Sequence, residues 1–409
     1  MVMTLASGTA HDRLDAATAR AAIDAAATTP PPQPDMIDGR CVVIPGGGAR
    51  YFPSAWVTIR MLRELGCRLP IELWHVGPEE VDCEIRSILE PLDVCCVDAT
   101  AIAERHPARF LGGWPLKAFA LLHTRHRQVL LLDADNLPLA DPTPMFNWPQ
   151  FRSSGAVMWP DTSNWRVEDP IWSLTGVRHR IEPEVESGQL LVDRKRCWEP
   201  IALAAWMNNQ HADFWYDYVY GDKDTFPLAW RKLSAEYEMP DYPPRRLRYA
   251  LWQHDFEGRP IFQHRYANKW RFDSQNLHLP GVLFERQCRE FLGELRRLWK
   301  SRPGLPHNHD EADEATRAEA ERLCSGRWRF QGAGGGQRVM TFHLDGTIRE
   351  GRTDREEAWH LFVHPYEATL CITGEDGVAW QLCRADDRWI GQAPCEHRNP
   401  ARLSPLATV

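Results

Sequence analysis

The chain has 409 residues, 43% hydrophobic and 25% charged, which is ordinary for a soluble globular protein and long enough for two domains or one large domain with an appendage. A formal net charge of −8 argues against a sequence-independent nucleic-acid binder, and no apolar run approaches the roughly 20 residues needed to span a bilayer. Eleven cysteines, an odd number scattered without a metal-type C-x-x-C pair, favour a reducing compartment over a disulfide scaffold, so the expected location is the cytoplasm.

Residues 1–38 lack the basic-then-apolar pattern of a secretory signal and end in the proline-rich TTPPPQP. They read as a mostly disordered leader or a frayed helix. From Gly39 onward, short apolar runs alternate with amphipathic stretches. CVVIP (41–45) reads as a buried strand, and 53–66 as a helix ended by Gly66. Further strands follow at 71–76, 93–98 and 128–132, divided by helices at 78–90 and 114–127. Continuous apolar strands separated by such helices imply an α/β domain with a parallel sheet covered on both faces. Ligands in sheets of this kind gather at the carboxyl ends of the strands.

Beyond Pro142 the pattern loosens into strands at 155–159 and 187–193, helical patches at 198–210 and 223–236, and a short strand at 260–264. The first domain is expected over 39–299. Residues 300–321 are polar and charged and read as a linker or a solvated helix. From 322 to 405 the texture changes to period-2 runs, with Asp345-Gly346 and Asp376-Gly377 as hairpin turns. This segment reads as a small antiparallel β domain, a sandwich or barrel of about five or six strands.

The chemistry-bearing feature is VLLLDADN (129–136), a buried run ending in two acids. Asp133 and Asp135 are two apart, so in a continuing strand both carboxylates face the same way and repel unless a cation sits between them. Mn²⁺ or Mg²⁺ fits, because such ions take carboxylate oxygens and keep positions open for phosphate. A solvated acidic turn is the competing reading. Asp135, farther from the buried run, reads as the direct metal contact, with Asp133 also available to hold the ribose or donor sugar.

Residues on either side extend the pattern. PLKAFALLHTRHRQVLLLDADNLPLADPTPMF (115–146) resembles the donor-binding core of retaining glycosyltransferases of the GT-A fold. GGGARYFPSAWVTIRMLRELGCRLPIELWHVG (46–77), ESGQLLVDRKR (186–196) and GDKDTFPLAWRKL (221–233) resemble, in order, motifs of mannosyltransferases related to the fungal α-mannosyltransferases. The resemblance covers about 40–275. It implies an α/β, GT-A (Rossmann-like) transferase domain, ahead of the small all-β domain read from the alternation at 322–405. The implied reaction is retaining transfer of a sugar, mannose by the narrower group, from GDP-mannose or a UDP-sugar to a glycan or other hydroxyl acceptor. QHRYANKW (263–270) resembles the closing segment of glycogenin-like transferases, although it lacks their H-x-x-G-x-x-K-P-W wording. By that resemblance His264 is the third metal ligand and Lys269 meets the diphosphate, while Lys117 is a basic residue facing the donor. The ESGQ strand then lies beneath the sugar, making Glu186 and Gln189 candidates for the catalytic region. They share a face only if a bulge intervenes. Gly188 would allow close approach of the sugar, and Asp222 or Asp224 would bind sugar hydroxyls.

PGGGARYF (45–52) fails the G-x-G-x-x-G dinucleotide pattern, because Tyr51 stands where the third glycine belongs. Gly46 and Gly47 can still admit a nucleotide to the backbone, with Tyr51 stacking on the base. A tight turn with an ordinary aromatic explains the same residues. Aromatic faces at Trp114, Trp159, Trp165, Trp172 and Trp270 fall near these motifs, where they could stack on sugars. Two other classes remain open: a catalytically inactive glycan-binding protein, and a sugar nucleotidyltransferase. The second calls for a lysine behind a glycine-rich first loop, where this chain has Arg50. The oligomeric state is not legible.

Overall fold

The computed structural model describes residues 13–247, 249–267, 269–271, 276, 278–300, 314–332, 336–344, 346–353, 356, 358–364, 367–374, 377–392 and 401–406. Two compact units emerge, one over 1–269 and 281–301, the other over 270–280 and 302–409.

The first unit is built on a six-stranded sheet. Strands β1 (Ile37–Pro45), β2 (Ile71–His75), β3 (Val94–Asp98) and β4 (His126–Leu132) run parallel, as their unbroken apolar runs suggest. A three-residue strand, β5 (Asn136–Pro138), leaves the end of β4. Strands β6 (Ala156–Asn164) and β7 (Pro183–Asp193) complete the sheet in the order β3-β2-β1-β4-β7-β6. β7 is antiparallel to both neighbours, so the expected all-parallel sheet is mixed. After β6 the chain returns in the opposite direction as β7. Strand order reverses between β1 and β4, and crevices at such switch points, beyond the carboxyl ends of the strands, accept ligands. A second sheet combines β5 with β8 (Arg245–Leu247), β9 (Ala250–His254) and β10 (Pro260–His264) in the order β5-β10-β9-β8.

Residues 13–38 depart from the disordered leader expected of them; residues 1–12 of that leader lie outside the described residues. Helix α1 (Ala19–Thr28) buries Ala19 and Ile23 completely. The proline-rich tail is tied down by Trp198, whose indole donates to the Pro31 carbonyl at 2.7 Å, and by Gln33, which donates to the Lys195 carbonyl. Small alanines allow close helix packing while giving little hydrophobic signal, which is why the segment read as unstructured. Helix α2 (Gly48–Glu64) follows the glycine loop, and α3 (Pro115–His123) precedes β4. Helices α4 (Trp198–Ala205) and α5 (Thr225–Lys232) cover the same face of the sheet as α3, and α6 (Glu285–Leu298) lies against α2. There the Trp56 indole donates to the Phe291 carbonyl at 2.7 Å.

Among its described residues, the second unit contains α7 (Glu314–Cys324) and an eight-stranded sheet. These are β11 (Arg327–Gln331), β12 (Gln337–Phe342), β13 (Ile348–Glu350), β14 (Ala358–His364), β15 (Glu367–Gly374), β16 (Gly377–Ala385), β17 (Arg388–Gln392) and β18 (Ala401–Pro405). β11 pairs with both β12 and β18, and a Thr347–Ala358 bridge joins the two ends, so the meander nearly closes as a barrel. Side chains including Trp328, Trp359, Leu370 and Trp389 fill its core, as expected of a small barrel. Five or six strands were expected; short pieces such as β13 carry too few alternations to register. Residues 301–313 of the expected linker, and Asp345 and Asp376 of the expected turns, lie outside the described residues. The rest of that linker is not a solvated connection, because α7 buries Ala320 and Leu323 in the barrel core.

Candidate active site

β4 stops at Leu132, and the chain turns through Asp133, Ala134 and Asp135 before β5. Three hydrogen bonds pin this turn. Thr58 on α2 donates its hydroxyl to the Ala134 carbonyl at 2.7 Å, and the Asp133 amide donates to the Gly188 carbonyl at 2.8 Å. The Arg265 amide donates to the Asp135 carbonyl at 3.0 Å. β5 pairs with β10 in a register that sets His264 opposite Asn136, so the histidine comes to lie beside Asp135. Its Nε2 is 3.5 Å from Asp135 and 3.9 Å from Asp133. One ligand atom from each of Asp133, Asp135 and His264 lies within 4.8 Å of the other two. Two carboxylates and an imidazole in that arrangement suit a divalent cation.

Glu186 acts on this group from beneath. Its carboxylate lies 3.0 Å from His264 Nδ1, which fixes the ring and leaves Nε2 facing the aspartates. Burial disfavours charge on both partners, yet the pairing prevails. Glu186 is brought down to about 2, and His264, beside Glu186 and Asp135, is lifted to about 10. The sequence reading placed Glu186 beneath the sugar; here it positions a histidine. The bulge that reading required is present: Met158 pairs with Leu190 but Trp159 with Glu186, so residues 187–189 have no partner on β6. Bulges of this kind re-aim side chains beside active sites. Gln189 nevertheless turns inward, fully buried, and accepts a hydrogen bond from Asn136. Gly188 permits close approach of the His264 ring. A Cβ there would stand 2.7 Å from Nδ1. Gly188→Ala is expected to push His264 aside and to cost about 1–3 kcal/mol, measured by chemical denaturation.

Lys117 extends from α3 into the same cluster and is buried. Its ammonium lies 2.9 Å from Asp133, 3.2 Å from Asp222 and 3.1 Å from the Ser187 hydroxyl, which itself donates to Asp222 at 2.9 Å. Burial works against its charge, but the two aspartates overcome this and hold the lysine above its ordinary range. Lys269 pairs with Asp135 and lies 5.9 Å from the centre of the Tyr51 ring. Burial raises Asp133, and Lys117 and His264 only partly offset this, so Asp133 is the carboxylate still short of positive charge. Asp135 is held low because Lys269 and His264 outweigh its burial.

Gly46, Gly47, Tyr51, Lys117, Asp133, Asp135 and Lys269 all line one cleft at the switch point. The two glycines are also required for packing: a Cβ on Gly46 would meet Ala55 at 2.9 Å, and one on Gly47 would meet His75 at 2.6 Å. The space left in the cleft is about 110 Å³, against about 1080 Å³ for a cavity elsewhere in this unit lined by residues such as Arg180, Tyr237 and Arg246. The chemistry favours the smaller one, which Lys269, paired with Asp135, helps to line. A second possible metal group, Cys41, Glu72 and His126, sits at the opposite end of the strands. There Glu72 already accepts from the Trp74 indole at 2.9 Å and pairs with His126.

Asp224 does not join the cluster and does not cap α5 with its side chain; it pairs with Lys223 instead. Trp159 and Trp270 are buried rather than presented to a ligand. Several contributors escaped the sequence reading. Asn209 sits in a π-helical turn, Trp206–Gln210, and donates to the Phe110 and Pro115 carbonyls, fixing the start of α3. Arg194 donates to the Leu121 and Leu122 carbonyls at the other end of that helix. Thr58, Asn136 and Ser187 complete the frame. Ser187 and Arg194 fall within the ESGQLLVDRKR motif and Asn136 within the turn after β4, but no local pattern assigns them these contacts.

With this geometry established, the family match is decisive. Residues 39–176 and 172–264, more than half the chain, match a family described as "Mannosyltransferase putative". The chain belongs to this mannosyltransferase family. The matched region contains the glycine loop, Lys117, both aspartates, Glu186 and His264. Among curated relatives, the α-1,2-mannosyltransferase MNN24 of Candida albicans is 27% identical over 233 residues, 47% of this chain and 33% of its own length. The α-1,2-mannosyltransferase MNN2 of Saccharomyces cerevisiae is 24% identical, over 55% of this chain and 45% of its own. This member of the mannosyltransferase family thus spans between a third and a half of those relatives. Among solved structures, the glycosyltransferase GlyE of Streptococcus pneumoniae matches with a TM-score of 0.39 and 15% identity, over 70% of this chain and 72% of its own. An active-site mutant of LgtC gives a TM-score of 0.41 and 12% identity, over 66% and 99%.

Proposed function

We propose that this chain transfers a mannosyl unit from GDP-mannose to a hydroxyl group of a glycan, with retention of configuration and with Mn²⁺ or Mg²⁺ held by Asp133, Asp135 and His264. The observation that carries the proposal is the convergence of those three ligand atoms, within 4.8 Å, beside a cleft lined by a glycine loop and two lysines. Such a cation supplies charge stabilisation for the departing diphosphate.

The chain's own residues do the rest. Lys269 is placed to exchange Asp135 for diphosphate oxygens, acting as a point charge. His264 ligates when neutral, and Glu186 keeps its Nδ1 engaged so that Nε2 is the atom presented. Lys117 remains below, holding Asp133 and Asp222 in fixed orientation. The Gly46-Gly47 backbone and the Tyr51 ring form the wall available to the nucleoside. No side chain is assigned as nucleophile, which fits a front-face route in which the leaving diphosphate takes the acceptor proton.

Glu186→Gln is expected to weaken divalent-cation binding about 10- to 100-fold while the fold survives, measured by calorimetric titration of Mn²⁺. The function itself is tested with a panel of nucleotide sugars and neutral glycans, with NMR assignment of the product anomer. α-Mnnosides formed from GDP-mannose support the proposal. Preference for a UDP-sugar, or an inverted product, overturns the donor or the stereochemistry, and inactivity with every donor points to a glycan-binding protein.

A further inference from the structure

A further cavity, of about 370 Å³, lies within the first unit, and its size falls in the roughly 300–1,000 Å³ range of small-molecule sites. Its walls include Trp165, Tyr218 and Tyr220 together with Glu184 and Asp224. The junction between the two spaces is one packed unit. Trp114, which lines the donor cleft, lies 5.8 Å from Tyr220, ring centre to ring centre. Gly221 makes this possible: it has a positive φ of 68°, and a Cβ there would stand 2.6 Å from the Trp114 indole. Tyr220 itself is 74% exposed, a large aromatic face left open to solvent beside the cleft.

The charges behind those rings are unevenly matched. A single ammonium, that of Lys223, serves Glu184 at 2.6 Å, Asp224 at 3.0 Å and Asp161 at 3.3 Å. Three carboxylates on one lysine leave acceptor oxygens with spare capacity. Asp224 registers the imbalance: burial raises it to about 7 although Lys223 lies beside it. A ligand suited to this surface offers many hydroxyl donors and a flat C–H face, and carries no negative charge of its own. The lining sets four carboxylates, Asp169, Glu184, Asp217 and Asp224, against the one guanidinium of Arg166, so a phosphate or carboxylate would meet net negative charge.

We infer that the cavity walled by Trp165, Tyr218, Tyr220, Glu184 and Asp224 is the binding site for the acceptor, and that it selects an uncharged glycan over a phosphorylated or otherwise anionic one. This rests on the transferase reading above. Sugar hydroxyls donate to Glu184 and Asp224 while the ring lies against Tyr220, placing the glycan next to the wall it shares with the donor cleft.

The test separates the acceptor from the donor. Tyr220→Ala and Glu184→Gln are compared with wild type for the KM of a neutral oligomannoside and the KM of GDP-mannose, with acceptor-free hydrolysis of the donor followed in parallel. Tyr220 is exposed, so its loss carries little risk to folding. The inference expects the acceptor KM to rise about tenfold or more in each variant, with donor KM within about twofold, and a phosphorylated oligomannoside to compete poorly with the neutral one. Unchanged acceptor KM in both variants, or equal use of the phosphorylated glycan, overturns it. Absence of both transfer and donor hydrolysis in the wild type is a different result, which overturns the transferase reading itself.

Discussion

Asp135→Asn is expected to lower cation-supported turnover of the donor by about 10²–10³-fold or more, the scale associated with losing a charge-stabilising group in the transition state. Asp135 sits between Lys269 and His264 and is the carboxylate held most firmly in its charged form. The amide keeps the volume and removes the charge, so the turn pinned by Thr58 and Arg265 survives, since those bonds go to backbone atoms. Initial rates at saturating donor, across a Mn²⁺ titration, measure the effect. A loss recovered at high Mn²⁺ locates the defect in cation affinity; an equal loss at every concentration locates it in the chemical step.

Lys117→Met is expected to act on folding before it acts on catalysis. The substitution preserves most of the side-chain length but leaves buried Asp222 and half-buried Asp133 without their shared cation. Removing one partner from a buried ionic group typically costs about 3–5 kcal/mol, because the remaining charge is uncompensated. Urea unfolding measures this, and adding Asp222→Asn to Lys117→Met should recover part of the loss. If Lys117→Met unfolds at the wild-type midpoint, the lysine is not the counter-charge that holds the cluster together.

The contrast between these two residues shows what the sequence made legible. The parallel core could be read from apolar runs, since a strand buried on both faces leaves no alternation to misread. Asp133 and Asp135 stood out because acids directly after such a run are costly without a partner. His264 was found through a resemblance, not from physics: the β5–β10 register that brings it to Asp135 depends on pairing between segments far apart in the chain. The same long-range geometry pairs Glu186 with the histidine and turns Gln189 inward, because a three-residue bulge changes which side chains share a face. Asn209 and Arg194 were invisible for a related reason. Each satisfies the ends of α3 from a distant element, and no local pattern records that. The buried α1 was missed because alanine packs well while signalling little.

The most direct test of the account is Mn²⁺ binding to the chelator-treated chain, followed by electron paramagnetic resonance in the presence of GDP-mannose. The expected result is saturable binding of a single ion by wild type, strongly weakened in Asp133→Asn, in Asp135→Asn and in His264→Ala. Wild-type protein that binds no ion while still turning over donor, or variants that all bind as tightly as wild type, would contradict it.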